Sequence, residues 1–299
     1  MSAVPSAATI ATPLRKPTRS SGFFARLFRD KPLGAAGGVV LLLFVIVGLT
    51  AQWISPYGFN EIAPVERLKP PSWVHWFGTD NLGRDVLSRC IHGAQLSVII
   101  GCSAALLATL ISGVIGIVSG YAGGRFDLIV QRFVDAWQSF PDLIILIVVV
   151  SVIGPGMPQI IGTLSLLLGI AGSRIVRSAV IGVREHMYVH SAQSIGASVP
   201  RILWRHILPN VMPPIIVLFT TRVGTVILAE SGLSFLGLGV PPPAPTWGGL
   251  LSGSGRTYML QGPWLALAPG LCLTTVVYAT NMFGDALRDL LDPRMRGSR

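Results

Sequence analysis

Long apolar stretches of 22 residues or more without a charged side chain include Leu33–Ile54, Ala94–Gly124, Leu143–Ser173 and Thr257–Gly284. A fifth, Val211–Ala229, is interrupted only by Arg222. A helix needs about 20 apolar residues to cross the hydrocarbon core of a bilayer. In lipid the backbone must also satisfy its own hydrogen bonds, which leaves helices and closed barrels as the spanning structures. Uninterrupted apolar runs are the helical signature, so the expected fold is an all-α integral membrane protein. Charged residues make up 12% of the 299-residue chain, about half the roughly 25% of a soluble domain. That is too few to coat a soluble globule, and 51% hydrophobic content excludes a disordered chain. Leu33–Ile54, at 22 residues, exceeds the roughly 7–15-residue core of a cleaved signal peptide and reads as a retained span.

The Leu143–Ser173 run contains Gly154-Pro155-Gly156-Met157-Pro158. Two prolines and two glycines in five positions predict a turn, because proline removes a backbone donor and clashes inside a helix. Splitting there gives six transmembrane helices, at about 33–54, 95–119, 128–153, 158–180, 209–231 and 264–284. Basic residues accumulate on the cytoplasmic side of membrane proteins. Six spans with both termini cytoplasmic place 17 of the 23 lysines and arginines on that side, five on the other, and Arg222 within a span. Five spans would put the Arg174–Arg205 bases and the C-terminal bases on opposite sides. The net charge of +10 is therefore an orientation signal and calls for no nucleic-acid partner.

The resulting organisation is a basic cytoplasmic tail over 1–32, a first span over 33–54, an extracytoplasmic loop over 55–93, a core over 94–284 and a cytoplasmic tail over 285–299. Within the core lie a polar cytoplasmic loop, 181–208, and an extracytoplasmic loop, 233–263. The 55–93 loop holds Trp73, Trp76 and Phe77, followed by Asp80, Asn81 and Gly83, whose turn chemistry could cap a helix carrying Val86, Leu87 and Ile91. Both outer loops fit either a docking surface or a belt of interfacial aromatics. In the 181–208 loop a helix is expected up to Gly196, which would cap its C-terminus. A second short helix is expected from Pro200 to just before Pro209.

Arg222 and Glu230 are the intramembrane charges of interest, as pathway-lining groups or as structural partners of neighbouring spans. Arg132 and Asp135, three apart, are expected to pair on one helix face. Cys90, Cys102 and Cys272 lack the spacing of a metal site or disulfide framework and are expected to pack as small hydrophobes. His186 and His190 make half a metal site with no third ligand, so neither a metal nor another cofactor is expected on the chain. A phosphate-binding Walker loop needs Gly-Lys-Ser/Thr. The three lysines, Lys16, Lys31 and Lys69, follow Arg15, Asp30 and Leu68, so the chain holds no such loop and no ATPase site is expected in it.

Ser191-Ala192, three residues, Gly196, then Leu208-Pro209 resembles the Glu-Ala-Ala loop of permease subunits in binding-protein-dependent ABC importers. The segments Phe77–Arg89, Arg205–Pro209, Ala229–Gly239 and Gly284–Arg294 resemble the dipeptide/oligopeptide/nickel branch, and its C-type subunit in particular. The resemblance covers about 33–294 in order. It departs at His190, where the motif has Glu, and at His206, where it has Ile. The resemblance implies the permease architecture of a type I importer, with Arg184, Glu185, Tyr188, His190, Ser191, Ala192, Gly196, Ala197, Leu208 and Pro209 coupling to an ATPase. Met187, Tyr188 and Ala192 are expected to form the apolar docking face. Further implications are a homologous second permease, two cytoplasmic ATPase subunits (or a fused pair) binding ATP and Mg, an extracytoplasmic substrate-binding protein, and a bacterial or archaeal cell membrane. The substrates of the branch include dipeptides, oligopeptides, glutathione-like peptides and nickel chelates. A stand-alone secondary transporter is the competing class, expected to show internal repeats, and none links 33–153 to 158–284.

Overall fold

A computed structural model describes residues 23–291, and every element among them is helix, turn or loop. Bases expected in the tails at Arg15, Lys16, Arg19, Arg294, Arg296 and Arg299 lie outside the described residues, as do residues 292–294 of the Gly284–Arg294 segment. In chain order the helices are α1 (Phe23–Asp30), α2 (Pro32–Leu49), α3 (Ala51–Ile54), α4 (Val86–Ala122), α5 (Gly124–Gln138), α6 (Asp142–Ile153) and α7 (Met157–Arg184). There follow α8 (Met187–Ser194), α9 (Val199–Ile202), α10 (Leu208–Phe235), α11 (Trp247–Leu250), α12 (Arg256–Tyr258) and α13 (Trp264–Leu291). Five helical stretches are long and apolar enough to cross a membrane: α2, α4, α7, the continuous Val199–Phe235 stretch, and α13.

The expected third span, 128–153, is not one straight helix. It comprises α5 and α6, bent by 80° at residues 139–141. Proline disfavours helical backbone at the residue before it, so Pro141 ends the path at Phe140 and α6 restarts at Asp142. At 12 residues and about 1.5 Å per residue, α6 is too short to span alone. The break at Gly154–Gly156 lies where the prolines and glycines place it, with Gly154 at φ +100°.

Helix α4 forms the axis of the bundle and packs most extensively on α7. Ala104, Ala108, Ser112, Gly116 and Gly120 recur every four residues on α4, and all five are buried. Small residues let membrane helices approach closely, where dispersion and short hydrogen bonds replace the hydrophobic drive that lipid does not supply. The approach at Gly116 leaves no room for a side chain, since a Cβ there would lie 2.7 Å from the Ser173 carbonyl. The Ser112 hydroxyl donates to the Gly169 carbonyl at 2.6 Å, tying the two helices.

Three boundaries differ from the sequence expectation. Helix α4 begins at Val86, well inside the 55–93 loop, and its N-cap is Asp85; Asp80 and Asn81 lie in the preceding turn. Residues 23–30 of the N-terminal tail form α1, whose Leu27 packs with Ala286 and Leu290 of α13. Helix α13 in turn runs past Gly284 to Leu291, and Lys31 meets Asp289 at 2.5 Å.

Candidate coupling surface

Helix α8 stops where Gly196 adopts φ +75°. The Ala197 amide donates to the Ala192 carbonyl and the Gly196 amide to that of Gln193, each at 3.0 Å. These are the paired bonds of a Schellman termination, in which a left-handed residue satisfies the last carbonyls of a helix. Val189 and Ala192 face inward, buried against Val176 and Val180 of α7 and Ile202, Ile207 and Val211 ahead of and within α10. The expected docking face is thereby corrected. Ala192 seats α8 on its own bundle, whereas Met187 is 82% and Ile195 85% exposed.

The second short helix does not end before Pro209. Residues Val199–Phe235 continue as one helical path, with a wide π turn over Leu203–Ile207 and Pro209 in the first turn of α10. Proline clashes with the carbonyl four residues earlier. Widening the turn just before it displaces that carbonyl and lets the helix proceed. Trp204, on the π turn, is 73% exposed, a third large apolar side chain left uncovered in this segment after Met187 and Ile195.

The other residues expected to couple lie around this element. The Arg184 guanidinium donates to the Tyr121 carbonyl at 3.0 Å, fastening the end of α7 to the end of α4. Glu185 caps α7 and faces solvent, 3.9 Å from Arg184. Tyr188 lies between the rings of His186 and His206, with centroids 5.5 and 6.2 Å away. His190 and Ser191 are exposed, and the Ser191 hydroxyl donates back to the Met187 carbonyl. Leu208 is partly buried and Pro209 exposed.

The intramembrane charges do not meet. Arg222 donates to the Ser112 hydroxyl of α4 at 2.9 Å and to the Leu168 carbonyl of α7, so it cross-links three helices. Glu230 is 1% exposed and accepts from the Ser234 hydroxyl at 2.6 Å. Asp135 takes Arg132 at 3.4 Å, as the spacing predicts, and also takes Arg174 of α7. Cys90 is buried, Cys102 and Cys272 are partly buried, and all three are free thiols.

At the opposite end of α4 the 55–93 and 233–263 loops pack together. The Trp264 indole donates to the Thr79 carbonyl at 3.2 Å, the Trp247 indole to the Cys90 carbonyl at 3.0 Å, and Arg67 lies over the Tyr258 ring. Sequence reasoning missed the clamp at the centre of this region. His75 is buried between Asp85, 2.9 Å from Nδ1, and Glu66, 2.8 Å from Nε2. Asp85 also caps α4 by accepting from the Ser88 amide and hydroxyl, so one carboxylate joins the loop to the helix start. Burial works against the charged imidazole, but its hydrogen bonds to the Asp85 and Glu66 carboxylates outweigh it, and the His75 pKa is raised above its ordinary 6.5. The Glu66 pKa is lowered, first by its hydrogen bond to His75 and then by Lys69. The Asp85-x-x-Ser88 spacing was the available signal for the cap, whereas the histidine's partners come together only in the folded loop.

A bundle of apolar helices with loops joined at one end and a short, Schellman-closed helix at the other defines a multi-pass membrane protein. The chain belongs to the family of binding-protein-dependent transport system inner membrane components, whose profile matches residues 112–297. The N-terminal transmembrane domain of oligopeptide transport permease C matches residues 23–71. The chain is 37% identical over 273 residues to the dipeptide transport system permease protein of Alkalihalophilus pseudofirmus, covering 91% of this chain and 89% of that one. It is 38% identical over 295 residues to a glutathione transport system permease protein of Escherichia coli, covering 97% of both. The fold is similar to a chain of the MetNI methionine ABC transporter in an inward-facing conformation, with a TM-score of 0.57 and 16% identity over 68% of this chain and 96% of that one.

Proposed function

We propose that this chain is one permease subunit of an ATP-driven importer of di- and oligopeptides, forming half of the translocation pathway and receiving ATPase motion through α8. The observation that carries this reading is the two-sided character of α8. Val189 and Ala192 are fixed against α7 and α10, while Met187 and Ile195 at its two ends, and Trp204 on the following π turn, are exposed. A lever of this kind needs one rigid attachment and one free apolar face for a partner's groove. The partner is a cytoplasmic ATPase that binds ATP and Mg, a second ATPase acts on a homologous second permease, and an extracytoplasmic binding protein delivers the peptide. Both termini and α8 are then cytoplasmic, and the joined loops carrying Trp73 and Trp247 face the binding protein.

Peptide as substrate is supported by the dipeptide permease relative, with 37% identity over most of both chains. Glutathione is the second reading, favoured by the relative that matches 97% of each chain. Both readings are tested by uptake of labelled dipeptide into proteoliposomes holding the assembled complex and its binding protein, with unlabelled peptides, glutathione or a nickel chelate as competitors. Dipeptide uptake that only other peptides suppress supports the first reading. Competition by glutathione alone replaces it with the second.

A further inference from the structure

Between α5 and the inner half of α7 lies a cleft of about 470 Å³ whose walls carry Asp127, Gln131, Arg132, Asp135, Arg174 and Arg177. Its hydrogen-bonding groups are out of balance. Asp127 takes Arg177 through both carboxylate oxygens, at 2.6 and 2.5 Å. Asp135 is shared between Arg132 and Arg174. Three guanidiniums, each with five N–H donors, therefore face two carboxylates. The Gln131 Nε2 atom is buried with no hydrogen-bond partner, which is unfavourable for a polar group withdrawn from water. Arg132 remains 75% exposed at the rim. What the cleft lacks is anionic oxygen.

The surroundings of the cleft indicate where that oxygen comes from. Helix α5 is amphipathic. Asp127, Gln131 and Val134 lie toward α7, while Phe126, Ile129 and Phe133 form an adjacent exposed apolar stripe. Helix α5 stands at 80° to α6, which is apolar beyond Asp142 except for Ser151. With α6 in the hydrocarbon, α5 is the end of the same broken span turned toward the membrane plane, its apolar stripe at the headgroup boundary as in interfacial helices. The arginine-lined edge is then at headgroup depth, and basic pockets between membrane helices are suited to acidic headgroups. We infer that the α5–α7 cleft is a binding site for the phosphate headgroup of an anionic phospholipid, held by Arg132, Arg174 and the Gln131 amide. Only the choice of the cytoplasmic leaflet rests on the topology proposed above. Because α7 leads directly into α8, a lipid held there would brace the arm that carries the coupling surface.

The test is native mass spectrometry of the full-length chain, purified with the subunits it carries, delipidated and titrated with phosphatidylglycerol or phosphatidylcholine. The expected result is preferential retention of phosphatidylglycerol, weakened about fivefold by Arg132→Gln and again by Arg174→Gln, and not weakened by Asp135→Asn. Arg132 is exposed, so its variant keeps the test valid even where Arg174→Gln does not fold. Equal retention of the two lipids, or retention unchanged in Arg132→Gln, overturns the proposal. Displacement of phosphatidylglycerol by an excess of inorganic phosphate overturns the lipid assignment in favour of free phosphate. Lipid retention is read without ATP or peptide, so failure of the transport reading leaves this result untouched.

Discussion

Replacing Gly196 isolates the mechanical role of α8, because the position is strained for a side chain without being crowded. A Cβ built there meets nothing within 4 Å, yet φ is +75°. Holding an L-residue in the left-handed region costs about 1–2 kcal/mol, and a β-branched residue is a poorer fit still. If valine instead relaxes to negative φ, the two Schellman bonds open, at about 0.5–1.5 kcal/mol each. The chain takes whichever route costs less, so the penalty on the seated form of α8 is about 2 kcal/mol. Inverting a 1:99 conformational ratio to 99:1 requires about 5.5 kcal/mol. Losing about 2 of that leaves a roughly 400-fold bias, which lifts the minor state only to about 80%. Gly196→Val is therefore expected to lower peptide uptake per ATP hydrolysed by about a fifth in proteoliposomes, with little change in the amount of assembled complex. Gly196→Asn, which tolerates the left-handed region, is expected to stay near wild type. Wild-type uptake and coupling in Gly196→Val would refute the reasoning, as would equal losses in both variants.

Three further outcomes follow from the packing. Gly116→Leu is expected to destabilise the bundle by about 1–3 kcal/mol through overpacking against the Ser173 carbonyl. Gly113→Leu, one turn away with open space around its Cβ, is expected to be near neutral; thermal unfolding in detergent compares the two. Ile195→Asp and Trp204→Asp, at exposed positions, are expected to leave the melting temperature within about 2 °C while reducing substrate-stimulated ATP hydrolysis about tenfold, of the order of one lost apolar contact. Unchanged stimulation in both would remove this face from the coupling surface. The raised His75 pKa adds stability that is complete below the ordinary value of 6.5 and is lost as pH rises through the folded value. The lowered Glu66 pKa adds stability present above 4.5 and lost as pH falls through the folded value. The loop should therefore be firmest between about pH 5 and 6.5. Hydrogen exchange of the Ser72 and Gly78 amides, both bonded to the His75 carbonyl, is expected to accelerate at pH 9, after correction for intrinsic rates, and not in His75→Ala.

The features legible in the sequence were those written locally. The break at residues 154–158 and the left-handed Gly196 follow from glycine and proline stereochemistry, and both stand at the expected positions. The Arg132–Asp135 pair follows from helical spacing. The 80° bend was also signalled locally, by Pro141 and by the charges of α5, but the apolar run from Leu143 outweighed them. Pro209 misled in the opposite direction, because a π turn absorbs the clash that would have ended a helix. The direction of Arg222 depends on Ser112 and Leu168, 110 and 54 positions away. Neither partner is marked by spacing. The four-residue repeat of small side chains on α4 was present in the sequence, but only the packed α7 gives it meaning.

The central claim is that this chain moves peptide only as part of an ATP-driven assembly, and reconstituted uptake tests it most directly. Proteoliposomes containing the chain alone should show no accumulation of labelled dipeptide under an imposed ion gradient. Adding the second permease, the ATPases, the binding protein and ATP should start uptake that stops when ATP is withdrawn. Gradient-driven accumulation by the chain alone, without ATP or partners, would contradict the account.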